Sequence, residues 1–147
     1  MEFIIPKSLK IEHEELHEEL TKATSKDGKI GDAAKAVANV LHPHFVKEEE
    51  YALPPLGLLP LISKEKVTTE MADVLKMTEK LKADLHHMLE EHKSIVAALK
   101  VLTEASRKEK KAEYERFADK LILHAQNEEE VLYPTALLIG EYLKLKK

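Results

Sequence analysis

The sequence predicts an all-α fold, an up-down-up-down four-helix bundle made of two helix pairs. The composition is 44% hydrophobic and 34% charged, with four Gly and six Pro in 147 residues, which is typical of helix-rich proteins. Apolar residues recur at helical spacing in four long segments with short connections, and no segment alternates as a strand does. A chain of this length suits one domain, so we expect a single domain over 1–147 with the bundle core at about 8–143.

The first helix pair is predicted in the first third of the chain. Ser8 is a candidate cap for the first helix, and SKDGKIG at 25–31 is a turn. Asp32 is a candidate cap for the second helix, which we expect over about 32–53. Pro43 lies inside that helix, where it should cause a kink or remove a backbone hydrogen bond.

The second helix pair follows a segment rich in proline and leucine. LPPLGLLPLISKEK at 53–66 is predicted to be a loop that caps the open end of the bundle, with an exposed partner or dimer surface as the alternative. The third helix should run from near Val67 to about Leu102, and SRKEKKAEY marks the next turn. The fourth helix is expected at about 111–133, before a short tail that ends in KLKK.

Charge and composition exclude several classes of protein. The net charge of -4 and the lack of a long basic run argue against a nucleic-acid partner. The chain has no cysteine, which excludes disulfides and thiolate metal sites. We find neither a signal-peptide pattern nor an apolar run of about 18 residues. These observations predict a cytoplasmic protein with no membrane segment.

Two segments of the chain repeat a pattern of histidine, glutamate and proline. HPHFVKEEEYALPP contains His44 and Glu48, HAQNEEEVLYPTA contains His124 and Glu128, and a proline stands ten positions after each of these histidines. A histidine and a glutamate four residues apart lie on one face of a helix. The repeat predicts two equivalent helix pairs related by a pseudo-twofold axis.

The other two predicted helices each carry a Glu-His pair, which ends in His13 or in His92. Each of the four histidines lies about 13 to 16 residues from the nearest predicted turn, and an α-helix rises about 1.5 Å per residue. All four imidazoles should therefore lie at one level of the bundle, together with the two glutamates.

Burying such groups without partners is costly, and a metal ion removes that cost. Imidazole and carboxylate without thiolate favour iron, manganese or zinc. Two carboxylates between two histidine pairs suit a bridged dinuclear centre, in which each glutamate spans both metals.

Four short motifs carry a resemblance to a known family. EHEEL at 12–16, HFVKEEE at 44–50, EHKSI at 91–95 and HAQNEEEVLYP at 124–134 resemble the hemerythrin-like HHE cation-binding family over roughly residues 8–143. The resemblance implies a four-helix bundle that holds two iron ions in a non-haem di-iron site. Its implied ligands are His13, His44, Glu48, His92, His124 and Glu128.

The sequence also departs from the oxygen-carrying hemerythrins. Those proteins place a further histidine one turn after the His92 position, where this chain has Val96. The pseudo-symmetric position on the first helix is His17, which we predict as a fifth imidazole ligand, with an outer or channel role as the alternative. The oxygen carriers would also place their second carboxylate at Glu129, but the internal repeat favours Glu128.

The remaining histidines, acids and tyrosines are expected to have structural roles. The histidines are predicted at the surface or rim, the acids in solvent or just outside the site, and the tyrosines in the core at the end of the bundle. They are His42, His86, His87, Glu49, Glu50, Glu129, Glu130, Tyr51 and Tyr133.

The leading functional hypothesis is a di-iron protein that binds or senses oxygen, nitric oxide or peroxide at an open iron position. No nucleophile or nucleotide-binding loop stands apart from the predicted ligands, so a binding protein is favoured over an enzyme. The alternatives are a di-iron peroxidase or nitric-oxide-reducing enzyme, an iron donor for repair, an iron-storage or metal-sensing module, and a metal-free structural bundle. A homodimer is left open.

Overall fold

Residues 2–146 are described by the computed structural model, and most of them are helical. No strand occurs in this part of the chain, which confirms the predicted all-α class. Across the same residues, no helix has both the length and the apolar character needed to cross a membrane. The α-helices are α1 Lys7–Thr24, α2 Gly28–Lys47, α3 Leu59–Ile62, α4 Leu75–Lys108, α5 Ala112–Asn127 and α6 Tyr133–Lys146.

The four long helices close into a bundle. Helix α1 packs against α2, α2 against α4, α4 against α5, and α5 against α1. Short turns join α1 to α2 and α4 to α5, so each of these pairs is antiparallel. Helix α6 follows α5 and packs against α4, which lengthens the fourth side of the bundle.

Two apolar clusters fill the bundle, and α4 shows where they meet. Leu81 and Met88 belong to a cluster completed by α6 and the segment after α2. Ile95 and Leu99 belong to a second cluster, completed by α1, α2 and α5. His92 lies between these two stretches of α4, so the level predicted for the histidines is the junction of the two clusters.

The proline-rich segment after α2 closes one end of the bundle, as expected. It is not a plain loop, because it forms a 3-10 turn at Pro54–Leu58 and then the short α3. Leu53 is buried in the core, whereas Leu59 and Leu61 are more than one third exposed. Most of the apolar surface of the segment is therefore used inside this chain.

Helix starts differ from their predictions. Helix α1 begins at Lys7, directly after Pro6, so Ser8 lies inside the helix and does not cap it. Helix α2 begins at Gly28, whose φ is +79°, and the predicted cap Asp32 is again internal. Pro6 itself is extended just before α1, and Gly28 adopts the left-handed conformation as the first residue of α2. Because of these two residues, both helices begin earlier in the chain than the predicted side-chain caps.

Helices α2 and α5 each end in a π-helical segment, at Glu48–Ala52 and Glu128–Leu132. Just after the first segment, the N–H of Leu53 donates to the carbonyl five residues earlier, at 2.8 Å. A proline stands two positions after the last residue of each π segment, at Pro54 and at Pro134. A proline ring crowds the carbonyl four residues before it and cannot donate to it, which favours a wider turn at that point.

Candidate metal centre

Four histidines and two glutamates from four helical regions meet inside the bundle. Each of the six is less than a tenth exposed, and Glu48 is fully buried. They lie on α1, α2, α4 and α5 and at the first residue of each π segment. We call these six residues the His/Glu cluster: His13, His44, Glu48, His92, His124 and Glu128.

The cluster divides into two groups of four that share both glutamates. One group consists of His13 and His124 with Glu48 and Glu128, and the other of His44 and His92 with the same two glutamates. Within each group, the donor atoms all lie within 4.8 Å of one another. Each group thus offers two imidazole nitrogens and two carboxylate oxygens, a donor set that suits a divalent transition metal.

A second ring of carboxylates holds the imidazoles from outside. In every case the Nδ1–H faces a glutamate on a neighbouring element, which leaves Nε2 directed into the cluster. A histidine that ligates a metal through Nε2 needs this tautomer, and such outer hydrogen bonds fix it. The pairs are His13 with Glu49 at 3.2 Å, His44 with Glu91 at 3.0 Å, His92 with Glu129 at 2.9 Å, and His124 with Glu12.

Lysines extend two of these pairs to the surface. The Nζ of Lys47 donates to Glu91 at 2.9 Å, and that of Lys10 donates to Glu49. Partial burial by itself would raise the pKa of Glu91, but the hydrogen bonds from Lys47 and His44 hold that pKa below its ordinary value. The same balance, with Lys10, lowers the pKa of Glu49. Both outer carboxylates therefore remain charged acceptors.

The inner glutamates make the cluster attractive to positive charge. Burial by itself lowers the pKa of His44 and of His124, but Glu48 and Glu128 raise each of these pKa values to about 9. Burial and the charge of Glu128 raise the pKa of Glu48 to about 7. Two buried carboxylates this close together repel each other, so a cation between them is strongly favoured.

Four buried polar atoms of the cluster have no hydrogen-bond partner. They are Nε2 of His13, Nε2 of His124, Oε1 of Glu48 and Oε2 of Glu128. Buried polar atoms are nearly always satisfied in folded proteins, by a group, a water or an ion. Because these four belong to one group of the cluster and all are metal-binding donors, the residues present fit a bound metal cation.

Tyr133 is a further residue of the site, which the sequence prediction assigned to core packing. Its hydroxyl donates to Oε2 of Glu48 and lies 3.2 Å from Nε2 of both His44 and His92. Burial, together with the charges of Glu48 and Glu128, holds the pKa of Tyr133 far above its usual value. The phenol is therefore protonated and acts as a donor at the edge of one group.

His17, the predicted fifth imidazole, lies outside both groups. It is exposed on α1, and its ring centroid is 5.5 Å from that of His42 on α2. The buried stripe of α1 runs through His13, Leu16 and Leu20, which places His17 on the flank of the helix. His42 is exposed, in line with its prediction.

The two glutamate triplets, 48–50 and 128–130, place successive residues in different surroundings. Glu128 lies in both groups, whereas Glu129 contacts the outer nitrogen of His92. In the first triplet Glu49 contacts His13, and Glu50 is exposed. The outer role of residues 49 and 129 was an alternative in the sequence prediction. The roles of the glutamates that precede His13 and His92 were missed, although the repeated Glu-His pair was a signal for them.

Comparison with known proteins agrees with this geometry. Neither the curated proteins nor the solved structures contain a significant match to the chain. The sequence model of the Hemerythrin HHE cation binding domain matches residues 5–136. The matched range includes all six residues of the His/Glu cluster and Tyr133. The chain therefore belongs to the hemerythrin family of HHE cation-binding domains.

Proposed function

We propose that this protein is a dinuclear non-haem iron protein that binds or senses a small oxidant: oxygen, nitric oxide or peroxide. His13 and His124 would hold one ion, His44 and His92 would hold the other, and Glu48 and Glu128 would be shared. The observation that carries the proposal is that both histidine pairs lie within ligand distance of the same two buried carboxylates.

Iron is the proposed metal because of the donor set and the family. Four imidazoles and two carboxylates suit iron, manganese and zinc, and the family resemblance favours two irons. When bound, the iron pair supplies one-electron redox chemistry and a coordination position for a small ligand. His17 is left out of the proposed ligand set because it lies on the exposed flank of α1.

The residues of the chain prepare this site in three ways. The outer carboxylates orient the imidazoles, and the two apolar clusters exclude water above and below the site. The Tyr133 hydroxyl supplies a hydrogen-bond donor beside Glu48. A dry site with fixed ligands and one donor favours binding of a small uncharged molecule.

The small number of buried polar residues outside the cluster favours a binding role over catalytic turnover. Among residues 2–146, the buried polar or charged residues outside the cluster, tyrosines apart, are Thr78 and Ser106. Each of these hydroxyls donates to a backbone carbonyl of its own helix, that of Leu75 or that of Leu102. Neither is free to act as a separate nucleophile or base.

We also propose that the two helix pairs form a pseudo-twofold repeat in a single domain. Both π segments begin at a shared glutamate. Two of the outer hydrogen bonds match as well, because Glu49 contacts Nδ1 of His13 and Glu129 contacts Nδ1 of His92. These matches support the pseudo-twofold repeat. A cytoplasmic location stays a prediction from the sequence.

Metal analysis of purified protein tests the proposal. We expect about two irons per chain and near-ultraviolet absorption that bleaches on anaerobic reduction. Glu48→Ala and Glu128→Ala should each lower the iron content markedly, whereas the exposed Glu50→Ala should not. Equal iron content in all three variants, or no uptake of ferrous iron by the metal-free protein, would refute the assignment.

A mixing experiment then tests the proposed use of the metal. Reduced protein is mixed in turn with oxygen, nitric oxide and hydrogen peroxide, and its absorption is followed with time. A spectrum that returns to its starting form when the ligand is removed, with no ligand consumed, is the expected result. Continuous consumption of peroxide or nitric oxide would instead establish an enzyme.

A further inference from the structure

The two groups of the His/Glu cluster differ in what satisfies their inner atoms. In the group of His44 and His92, both Nε2 atoms lie 3.2 Å from the hydroxyl of Tyr133, and that hydroxyl donates to Oε2 of Glu48. This group therefore has an internal hydrogen-bond partner before any cation is bound.

The group of His13 and His124 has no such partner. Its two Nε2 atoms, Oε1 of Glu48 and Oε2 of Glu128 are all buried without a hydrogen bond. The ring next to this group is Phe45, which stacks on His13 with 4.0 Å between centroids. A phenyl ring offers neither a donor nor an acceptor. These atoms therefore have only one another as polar neighbours, with Nε2 of His124 3.2 Å from Oε2 of Glu128 as an ion pair without hydrogen-bond geometry.

This difference has an energetic consequence for cation binding. A buried polar atom without a partner costs more than a hydrogen bond contributes, because it has lost its water. A cation between His13 and His124 relieves four such atoms and breaks no hydrogen bond. A cation between His44 and His92 must replace the hydrogen bond from the Tyr133 hydroxyl to Glu48, and it needs the two Nε2 atoms that face the phenol oxygen.

We propose that the cluster has two inequivalent cation positions, and that the Tyr133 hydroxyl makes the position at His44 and His92 fill second. This inference rests on the proposed metal site. Tyr133 is a positioning residue, because its phenol holds Glu48 in place before the second ion binds. A hydrogen bond to a charged group corresponds to roughly a tenfold or larger gap between the two dissociation constants.

The test is a titration of the full-length metal-free protein with Co²⁺, without oxygen and against a competing chelator. Visible absorption reports the occupancy of each step. Wild-type protein should bind two ions in two steps, roughly tenfold or more apart. In Tyr133→Phe the second step should tighten by a similar factor, and the first should stay unchanged. His124→Ala should abolish the tighter step, and His92→Ala the weaker one.

Tyr51→Phe is the matched control. Tyr51 is also a buried tyrosine just after a cluster glutamate, but its hydroxyl donates to Asp84. Both steps should be unchanged in this variant, and circular dichroism checks the fold of every variant.

Three results would overturn the inference. They are coincident steps in the wild type, an unchanged gap in Tyr133→Phe, and a weakened second step in Tyr133→Phe, which would mean that the hydroxyl supports the second ion. Absence of any Co²⁺ uptake would refute the metal site itself, and the inference with it. The two failures are therefore distinguishable.

Discussion

The outer carboxylates give a quantitative prediction, which is sharpest at Glu91. Its Oε1 accepts from Nδ1 of His44 at 3.0 Å, and its Oε2 accepts from Lys47 at 2.9 Å. Replacing Glu91 by Ala removes the acceptor that holds the His44 imidazole in its orientation and tautomer, without touching any inner atom of the cluster.

The expected magnitude follows from the geometry. A hydrogen bond to a charged group contributes about 1.5 to 3 kcal/mol, but the Glu91 side chain is 29% exposed, which places the effect at the lower end. We expect the affinity of the position at His44 and His92 to fall about tenfold, near the lower limit found for outer partners of metal ligands. Glu91→Gln should lose less, because an amide oxygen still accepts from Nδ1–H.

Co²⁺ titration against a chelator measures this change. Glu90→Ala is the matched control, because Glu90 is the preceding residue of the same helix and pairs with the exposed Lys93. If Glu91→Ala and Glu90→Ala bind Co²⁺ with equal affinity, the outer carboxylates do not support the imidazoles and the reasoning is wrong.

Three further predictions concern His17, the metal-free cluster and the packing of α6. His17→Ala should leave the metal content unchanged by elemental analysis, since the side chain is exposed. In the metal-free protein, the pKa values of His44 and His124 are about 9 against about 6.5 in an unfolded chain. Their protonation therefore favours folding below pH 6.5, and this contribution is lost as the pH rises to 9; urea midpoints should fall across that range. A Cβ at Gly140 would come within 2.4 Å of Oγ1 of Thr78, so Gly140→Ala should cost about 1 to 3 kcal/mol of unfolding free energy. Adding Thr78→Ala should recover part of that loss.

The sequence was sufficient to predict the inner cluster. Helical rise and chain distance from the turns placed His13, His44, His92 and His124 at one level, and the structure buries all four together. The four histidines meet because antiparallel helices joined by short turns keep a regular rise and rotation per residue. An error of a residue or two at the helix ends, as at Ser8, does not disturb it.

The role of Tyr133 could not be predicted in this way. It stands nine residues after His124, and nine residues of regular α-helix amount to a rotation of about 900°, which would place it on the opposite face. The π segment accommodates one extra residue and so reduces that difference to about 80°, and no pattern of apolar residues in the sequence indicates the segment. His17 is the converse case. Its pseudo-symmetric position was judged from spacing alone, whereas the buried stripe through Leu16 and Leu20 decides which flank is exposed.

The π segment before α6 has a consequence for the length of the fourth helix. Buried positions on this helix step by three or four through Leu121, His124 and Glu128, and then by five to Tyr133. The segment thus acts as a one-residue insertion between two apolar stripes. A regular α-helix through 129–132 with every residue kept would turn α6 by about 100° and move it outward by about 1.5 Å. The tyrosine and the apolar side of α6 would then leave the interior together, whereas deleting one residue from 129–132 would remove the wide turn and keep both in place.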